Sequence, residues 1–419
     1  MAPARDIRQA GQWWSIFADQ RLDALIAAAH VANPSIEQAI AVVARTRAQS
    51  DTIAAGRLPQ ITAGAGATRQ SGPLINAAGG AGPLYTSSAS MAYELDLLGR
   101  NTRSRKAARS DVRASEAQAE AARLMVEASV AQAYFEIVFL DAEAGVTDAA
   151  AKAGEQRLAL IEDNGRAGLI SATGVDRARV ELAAIRSDRT TLSRRRAEAE
   201  SRLATLVGRP PEDFALPPHY QPSTLPAIPA GLPSAMLLRR PDLRAADFAI
   251  SAAQDRLGSL RRSWFPMINL TASEGFASSS LSDLIRNGAR ATGLGLLVAL
   301  PLFDGGRRDS QIKAAEAEAR RLQAAYRETV LQSLREVEDQ LVALRTLGEQ
   351  VTIENEAADA AGRIAERSDA LRADGLISLP EAYDAEREAL SRRRSALTIE
   401  SRRYYATIAL IRALGGGWS

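Results

Sequence analysis

Hydrophobic residues alternate with polar or small residues in four segments of this chain. The segments are 59–69, 85–97, 266–274 and 292–302, and the alternation has a period of two. A period of two predicts β-strands, because successive side chains of a strand point to opposite faces of a sheet. A loop rich in glycine, serine and asparagine separates the strands of each pair, so the pattern predicts two hairpins.

Each predicted hairpin is followed by a long segment that contains no proline and almost no glycine. These segments, 101–163 and 308–373, are long enough for helices on the order of 90–100 Å each. Apolar residues recur in them at spacings of three and four, which is typical of a coiled-coil seam. In the second segment the seam contains Leu334, Val337, Leu341, Leu344, Leu347 and Val351. A turn and a further predicted helix follow each long segment, at 173–207 and 380–414.

A medium-length helix is predicted before each hairpin. The first begins after Asn33, a favourable N-cap that is followed by proline, and runs to about Gly56. The second begins at Arg240-Pro241 and ends near Trp264. Each half of the chain therefore has the same predicted order of medium helix, hairpin, long helix, turn and helix.

The chain repeats itself at a fixed spacing of 207 residues. The repeated elements are Asn33–Ile36 with Arg240–Leu243, Leu58–Ile61 with Phe265–Ile268, Lys106–Ala108 with Lys313–Ala315, Gly168–Ser171 with Gly375–Ser378, and Gly208 with Gly415. A unit of this length indicates a duplicated half-protein, since solenoid units have roughly 20–50 residues. We predict two equivalent repeats, 1–208 and 234–419, joined by a linker at 209–233 that holds eight of the seventeen prolines.

Four strands from one chain cannot close into a barrel by themselves. In a bilayer an open sheet edge leaves backbone groups unpaired, so strands span membranes only in closed barrels, and the small barrels have about eight strands. If these strands enter a membrane, several copies of the chain must share one barrel around a common axis. The other interpretation of the same alternation is an ordinary half-buried hairpin.

Five segments, spread over nearly the whole chain, carry a resemblance to a known family. They are Trp13-Trp14 with the following Phe17, Asp19 and Leu22, then Tyr93–Arg100, Arg239–Asp247, Pro301–Arg307 and Ala413–Trp418. Through them the sequence resembles the TolC-like outer membrane factors, specifically the NodT-type branch of RND efflux systems. That branch usually carries a signal peptide and a lipidated cysteine. Neither is present in this sequence, so lipid anchoring is not predicted.

The resemblance implies a mixed α and β fold with a duplicated TolC-like architecture. Each subunit of a homotrimer would give four strands to a twelve-stranded transmembrane β-barrel in the bacterial outer membrane, and its long helices to a helical barrel in the periplasm. The Pro-rich linker would form an equatorial segment. The implied function is the exit duct of a tripartite efflux system that passes small molecules such as drugs to the exterior. The implied partners are a periplasmic adaptor (membrane fusion protein), an inner-membrane RND pump and outer membrane lipid.

Two turns between helices, at the helix ends farthest from the hairpins, are candidate contact sites. We call them the tip segments, and each glycine in them is also a typical helix C-cap. In the family, equivalent segments meet the adaptor, so the resemblance implies an adaptor-contacting role. The tip residues are Gly168, Leu169, Ile170 and Ser171 in the first repeat and Gly375, Leu376, Ile377 and Ser378 in the second.

Two acidic residues follow the second tip segment, Glu381 and Asp384, at positions i and i+3 of one helical face. They match the family's constriction-forming acids, so three subunits would form a periplasmic gate of six carboxylates. Carboxylates that lie so close together repel one another, so some of them are expected to have a raised pKa. The structural alternative is an acidic first turn favoured by the helix dipole. The first-repeat counterparts, Gly174 and Arg177, are not acidic.

Composition argues against several other classes of protein. The net charge is only +2 and the chain has no cysteine and two distant histidines, His30 and His219. Without a phosphate loop, a nucleophile beside a histidine or a metal-ligand cluster, the sequence predicts no enzyme, cofactor or metal site. Nucleic-acid binding is not predicted either, because the arginines are mixed with acidic residues.

Two alternatives to the efflux duct remain open at this point. One is the outer membrane conduit of a type I secretion system. The other is a soluble coiled-coil scaffold, which the long helices and the lack of an apolar secretion signal near Met1 would fit. No segment reaches the roughly 18 apolar residues of a transmembrane helix. The exported compound and the partner pump do not follow from the sequence.

Overall fold

The computed structural model describes residues 12–70, 82–220, 225, 239–285 and 290–416. The helices are α1 (Gln20–Ala32), α2 (Pro34–Ala55), α3 (Arg100–Arg166), α4 (Ala172–Leu206), α5 (Pro241–Arg261), α6 (Arg307–Ala373) and α7 (Leu379–Ala413). The strands are β1 (Gln60–Gln70), β2 (Gly82–Glu94), β3 (Met267–Ser278) and β4 (Arg290–Ala299). Short 3-10 helices lie at Trp13–Phe17, Pro211–Asp213, Arg262–Trp264 and Leu281–Asp283.

The duplication of the sequence is visible in the lengths of the helices. The long helices α3 and α6 each have 67 residues, and the following helices α4 and α7 each have 35. Helix α6 begins 207 residues after α3, and α7 begins 207 residues after α4, which is the spacing of the sequence repeat. The predicted duplicated fold with four strands per chain is therefore confirmed.

The strand boundaries differ from the predicted ones by as many as four residues, and β2 begins earlier than predicted, at Gly82 rather than 85. Strand β2 ends at Glu94 rather than 97, β3 extends to Ser278, and β4 ends at Ala299. After β2, the Leu95 amide still donates a hydrogen bond to the Ile268 carbonyl at 2.8 Å. The side chain of the following Asp96 instead accepts a hydrogen bond from the Thr102 amide at the start of α3. Helix α1 (Gln20–Ala32) is not among the elements predicted from the sequence.

The chain divides into two compact units, and each takes segments from both sequence repeats. The first unit lies within Met1–Ala39, Gln118–Leu243 and Thr329–Ser419, and the second within Ile40–Ala117 and Arg244–Glu328. The compact units of the fold thus differ from the predicted halves, because each unit contains corresponding segments of both repeats.

Much of the predicted linker 209–233 lies outside the described residues, which resume at 239. The same holds for most of the first hairpin loop, residues 71–81, for residues 286–289 of the second, and for Trp418 of the C-terminal signature.

The core of the first unit contains a cluster of aromatic side chains. Phe135 contacts Phe17 and Tyr404 at ring-centroid distances of 4.8 Å each. The Tyr404 ring also meets Phe139 at 5.1 Å. All four rings are buried. Because large aromatic side chains remove the most apolar area from water, this cluster anchors the N-terminal segment against α3 and α7.

A buried polar cluster holds the same N-terminal segment. The Glu127 carboxylate accepts hydrogen bonds from the Trp13 indole at 2.9 Å and pairs with the His30 ring at 2.8 Å. Burial raises the pKa of Glu127 above its ordinary value, although both hydrogen bonds oppose that change. Nearby, the Tyr134 hydroxyl donates to Asp19 at 2.6 Å, and Asp19 also caps the start of α1.

The second unit joins its helices through polar contacts. The Arg103 guanidinium donates to Asp255 at 2.5 Å, and the hydroxyls of Ser104 and Ser259 are 2.8 Å apart. These contacts fix α3 against α5 beside the sheet. Among the described residues, no helix is both long enough and apolar enough to cross a membrane.

Candidate functional site

The four strands form a single antiparallel sheet in the order β1-β2-β3-β4. Ile61 pairs with Met91, Met91 with Ala272, and Ala272 with Leu294. Directly paired residues lie on the same face of a sheet, so this row crosses all four strands on one face. The register therefore assigns a face to every residue of the sheet.

The register gathers the predicted apolar stripes on one side, which we call the apolar face. Its apolar members are Ile61, Ala63, Ala65, Ala67, Pro83, Tyr85, Ala89, Met91, Tyr93, Ile268, Leu270, Ala272, Phe276, Leu294, Leu296 and Val298. The opposite face is mainly glycine, threonine and serine. Ile61 is 74% exposed and Leu294 is 81% exposed. A large exposed apolar surface of this kind marks a contact with lipid or protein.

Three charged residues, Arg69, Glu274 and Arg290, lie among the apolar residues of this face. Glu274 lies opposite Thr292 and forms an ion pair with Arg290 at 2.7 Å. The pair joins two neighbouring strands toward the loop end of the second hairpin, so the carboxylate is matched by a positive charge within the sheet itself.

The outer strands β1 and β4 each pair with a single strand. The sheet therefore has two edges at which backbone N–H and C=O groups point away from it. Such edges are reactive toward other strands, and in a bilayer each unpaired group costs several kcal/mol. The fold thus presents an apolar face together with two strands that require partners.

The two strand-to-helix junctions are built alike from an aspartate. The Asp96 carboxylate accepts from the Asn101 amide at 3.1 Å and from the Thr102 amide at 2.7 Å. Asp304 accepts from the Arg308 amide at 3.2 Å and from its guanidinium at 2.6 Å. The aspartates satisfy amide groups that the first turns of α3 and α6 leave free. The junction motifs Tyr93–Arg100 and Pro301–Arg307 thus have a structural role.

The tip segments have the same backbone geometry in both repeats. Gly168 and Gly375 have φ values of 74° and 73°, in the left-handed region that favours glycine. The following leucine amides bond back to the helix, from Leu169 to the Asn164 carbonyl at 2.9 Å and from Leu376 to the Leu371 carbonyl at 2.8 Å. This is the Schellman pattern, which closes the ends of α3 and α6.

The two tip leucines point away from their own subunit. Leu169 is 76% exposed and Leu376 is 69% exposed, while Ile170 and Ile377 are half-buried. A β-carbon at Gly174 would lie 2.7 Å from the Ile170 side chain, so the glycine there makes room for it. Each tip therefore holds one apolar residue inward and displays another, which suits a contact with a second protein.

Ser171 and Ser378 complete the tips as helix N-caps. Ser171 accepts a hydrogen bond from the Gly174 amide at 3.3 Å. Ser378 forms a full capping box, in which the Glu381 carboxylate accepts from the Ser378 amide at 2.8 Å and from its hydroxyl at 3.0 Å. The candidate gate residue Glu381 is thus also a structural partner of its own helix.

The candidate gate residues Glu381 and Asp384 have different surroundings. Both are exposed on the first turns of α7. Within one subunit, the hydrogen bonds from Ser378 hold the pKa of Glu381 below its ordinary value. The Asp384 side chain is 62% exposed, and its nearest positive group is Arg387 at 3.9 Å. Asp384 is the carboxylate less engaged by its own subunit.

A cavity of about 550 Å³ lies between α3, α6 and α7 close to these acids. On its wall the Arg157 guanidinium lies 4.1 Å from the centre of the Tyr383 ring and forms an ion pair with Glu181. Burial raises the pKa of Glu386, another lining residue, and the charge of Asp369 adds to the increase. No pattern in the sequence indicates this cavity, since its lining residues come from three distant segments.

The motif at the start of α5 forms a polar hub within the first unit. The Arg240 guanidinium binds Asp242 at 2.8 Å, Glu336 of α6 at 3.0 Å and the Ala413 carbonyl of α7 at 2.9 Å. Only 10% of the Arg240 side chain is exposed. The motif that carried part of the family resemblance is therefore a structural clamp for three helices.

No group of three or more histidine, cysteine or acidic side chains could hold a metal ion in the part of the chain that the structure describes. His30 pairs with Glu127, and the His219 amide donates to Asp141 at 3.2 Å.

Comparisons with known proteins agree with this arrangement of sheet and helices. The family model described as "Outer membrane efflux protein" matches residues 25–209 and 232–416, one match for each repeat. The outer membrane protein OprJ of Pseudomonas aeruginosa is 31% identical over 97% of this chain and 86% of its own. The cation efflux system protein CusC of Escherichia coli is 28% identical over 99% of this chain and 90% of its own.

The solved structure of the outer membrane protein VceC from Vibrio cholerae has the same fold. It superposes with a TM-score of 0.87 at 27% identity, covering 97% of this chain and 99% of that chain. The chain belongs to the outer membrane efflux protein family. Its fold is the TolC-like channel fold, and its function is that of an outer membrane component of an efflux system. The family membership overturns the alternative of a soluble coiled-coil scaffold.

Proposed function

We propose that three copies of this chain form the exit duct of a tripartite efflux system. The observation that carries the proposal is the open four-stranded sheet, whose edges β1 and β4 have no partner strand within the described chain. Pairing β1 of one subunit with β4 of the next would close twelve strands and satisfy both edges. The apolar face, with Leu294 81% exposed, would then face lipid.

The tip segments are proposed to receive the periplasmic adaptor, which links the duct to an inner-membrane RND pump. Leu169 and Leu376 support this role, because both are exposed apolar side chains on rigid turns. Two exposed leucines in equivalent positions of the two repeats offer a partner repeated contacts around a trimer. Exposed apolar side chains with polar surroundings mark contact sites for other proteins.

Glu381 and Asp384 are proposed to line the gate at the inner end of the duct. Their exposure in one subunit supports this role, as does the lack of acidic residues at the first-repeat positions Gly174 and Arg177. Negative charge in a narrow passage attracts cations and concentrates them. In this proposal Asp384 carries the larger part of the effect, since Glu381 is held by Ser378.

The cargo of the duct is not determined by the names of the similar proteins. CusC is named for cation efflux, whereas the name of OprJ mentions no cargo, and the two are similar to this chain to nearly the same degree. Small molecules such as drugs remain the proposed cargo class. No cargo-binding pocket is needed in this chain, because a duct can pass what the pump delivers.

The proposal is tested by purified protein in planar bilayers and in detergent. A trimeric mass together with discrete, cation-preferring conductance steps supports the duct. A stable monomer with full helical signal and no conductance would overturn it.

A further inference from the structure

Three arginines with no acidic partner lie at the helix-side edge of the sheet. Arg57 is in the turn between α2 and β1, and Arg105 and Arg109 lie one turn apart on the same side of α3. Among the described residues, the side chains of these three arginines take part in no ion pair or hydrogen bond. The Nε atom of Arg105 is enclosed and has no hydrogen-bond partner. We call these residues the arginine triad.

The triad differs from the arginines around it. Arg100 forms a double hydrogen bond with Glu94, at 2.8 and 2.7 Å, and Arg103 is paired with Asp255. Arg100 and Arg103, which precede Arg105 on the same helix, thus have their charges matched within the subunit. The triad keeps three positive charges together without such a match.

The charges of the triad act on one another. The pKa of Arg105 lies below its usual value, first because the guanidinium of Arg109 repels an additional positive charge, and burial and the charge of Arg57 add to the decrease. Asp96 is the acidic group that the Arg57 charge reaches, but its carboxylate is occupied by Asn101 and Thr102. A bound anion would relieve this repulsion.

The fold itself does not require the triad. The positions 207 residues later are Trp264, Ile312 and Glu316, and none of them is basic. Glu316 is instead paired with Arg261 at 2.8 Å. The second repeat builds its junction without three cations, so the duplicated architecture does not depend on them.

The surroundings of the triad indicate the kind of anion. Leu58 directly follows Arg57 and is 63% exposed, and Ile61 begins the apolar face of β1. Positive side chains beside exposed aliphatic ones match the two parts of a phospholipid, the phosphate and the acyl chain. Guanidinium groups bind phosphate oxygens through paired hydrogen bonds.

We propose that Arg57, Arg105 and Arg109 bind the phosphate of an anionic phospholipid at the periplasmic surface of the outer membrane. The inference rests on the proposed function, since it requires β1 to lie in the bilayer with α3 on the periplasmic side. The lipid headgroup neutralises the triad, and its chains cover Leu58 and Ile61. The subunit is thereby fixed at a defined depth in the membrane.

The test compares the full-length trimer with two triple variants. In the triad variant, Arg57→Gln, Arg105→Gln and Arg109→Gln are combined. The matched control combines Arg307→Gln, Lys313→Gln and Arg320→Gln, which removes three exposed charges from the first turns of α6, the counterpart of α3. Native mass spectrometry of detergent-solubilised trimers counts bound phosphatidylglycerol, with phosphatidylcholine as the neutral reference and glycerol 3-phosphate as the soluble phosphate.

We expect wild type and control to retain phosphatidylglycerol over phosphatidylcholine, and the triad variant to bind phosphatidylglycerol at least about tenfold more weakly. Equal lipid binding by all three proteins would overturn the proposal. If glycerol 3-phosphate binds as tightly as the lipid, the proposal that the phosphate belongs to a membrane lipid would be wrong. Loss of the trimer in the triad variant alone, with lipid binding unchanged, would assign the arginines to a neighbouring subunit instead.

Channel recordings in planar bilayers distinguish a failure of the lipid inference from a failure of the proposed function. Wild-type trimers that form channels in bilayers but bind no anionic lipid at the triad contradict only the lipid inference. Wild-type protein that forms neither trimers nor channels contradicts the duct itself.

Discussion

The Arg240 guanidinium donates a hydrogen bond of 2.9 Å to the carbonyl of Ala413, the last residue of α7. In the first repeat, the Asn33 amide donates in the same way to Leu206, the last residue of α4, at 2.7 Å. Both donors immediately precede the proline that begins α2 or α5. The two repeats therefore use different side chains to satisfy an otherwise free carbonyl at the end of the repeat's last helix.

Replacing Arg240 is expected to destabilise the first unit. Arg240→Gln leaves Asp242 and Glu336 facing each other without the cation between them, and it loses the bond to Ala413. The expected loss is about 2–4 kcal/mol of unfolding free energy. Chemical denaturation followed by circular dichroism measures it. Arg320→Gln, at an exposed position of α6, is the control and should change little. Equal stability of both variants would show that the clamp is unimportant.

The buried Glu127 is expected to make stability depend on pH. Because burial raises the pKa of Glu127 in the folded state, the folded protein holds the proton more tightly than the unfolded chain, whose value is near 4.5. Stability therefore decreases as the pH rises above about 4.5 toward the raised folded pKa. Glu127→Gln can keep the hydrogen bonds to Trp13 and His30 and lacks this titration.

The unfolding free energies of wild type and Glu127→Gln, measured from pH 4.5 to pH 7, check this sign. The unfolding free energy of the variant minus that of wild type should be larger at pH 7 than at pH 4.5. If instead the wild type gains stability relative to the variant as the pH rises, the ionised form of Glu127 is the preferred one, and the assignment is wrong.

Charged residues at the tips are expected to stop efflux without unfolding the protein. Leu169→Asp combined with Leu376→Asp places charges in the proposed adaptor contact, but both side chains are already exposed, so stability should change by less than about 0.5 kcal/mol. Drug tolerance of cells and the amount of membrane trimer are measured together. Val180→Asp is the control, because Val180 is 69% exposed but lies on α4 outside the tips. Unimpaired tolerance in the double tip variant would remove the tips from the interface.

Neutralising the gate is expected to change conduction while the helix cap stays intact. Glu381→Gln removes the charge but can still form the capping box with Ser378, and Asp384→Asn removes the second charge. The double variant should lose part of its cation preference and conduct more strongly. Asp384→Asn alone should give the larger share, since Asp384 is the less engaged carboxylate.

Single-channel recording measures both properties of the gate variants. Asp176→Asn, at the equivalent turn of α4, removes an exposed carboxylate outside the proposed gate and should leave conductance unchanged. If the double variant conducts with wild-type amplitude and selectivity, then Glu381 and Asp384 are only a helix-start feature.

The helix ends and strand faces could be predicted because local chemistry determines them. Gly168 and Gly375 end their helices through a backbone conformation that glycine adopts without strain. The alternation around Met91 and Leu294 fixes which side chains share a face, whatever the rest of the fold does. The spacing of Ser378 and Glu381 also fits a capping box, whereas the prediction from the sequence treats Glu381 only as part of an acidic first turn.

Contacts between distant segments could not be predicted in this way. Trp13 meets Glu127 across 114 residues, and nothing in the local pattern of either residue indicates the other. The compact units likewise combine segments of both repeats, which periodicity within one segment cannot show. The trimer, the adaptor and the pump came from the family resemblance rather than from any pattern in the residues.

The central claim, that β1 of one subunit pairs with β4 of the next, is tested most directly by disulfide cross-linking. The chain has no cysteine, so any cross-link reports an introduced pair. Ala65→Cys on β1 is combined in turn with Thr292→Cys, Leu294→Cys and Leu296→Cys, which lie on the same face of β4. Oxidation in membranes should give a covalent trimer for at least one pair and none for the single-cysteine variants. Monomers alone across all pairs would contradict a barrel closed between these two edges.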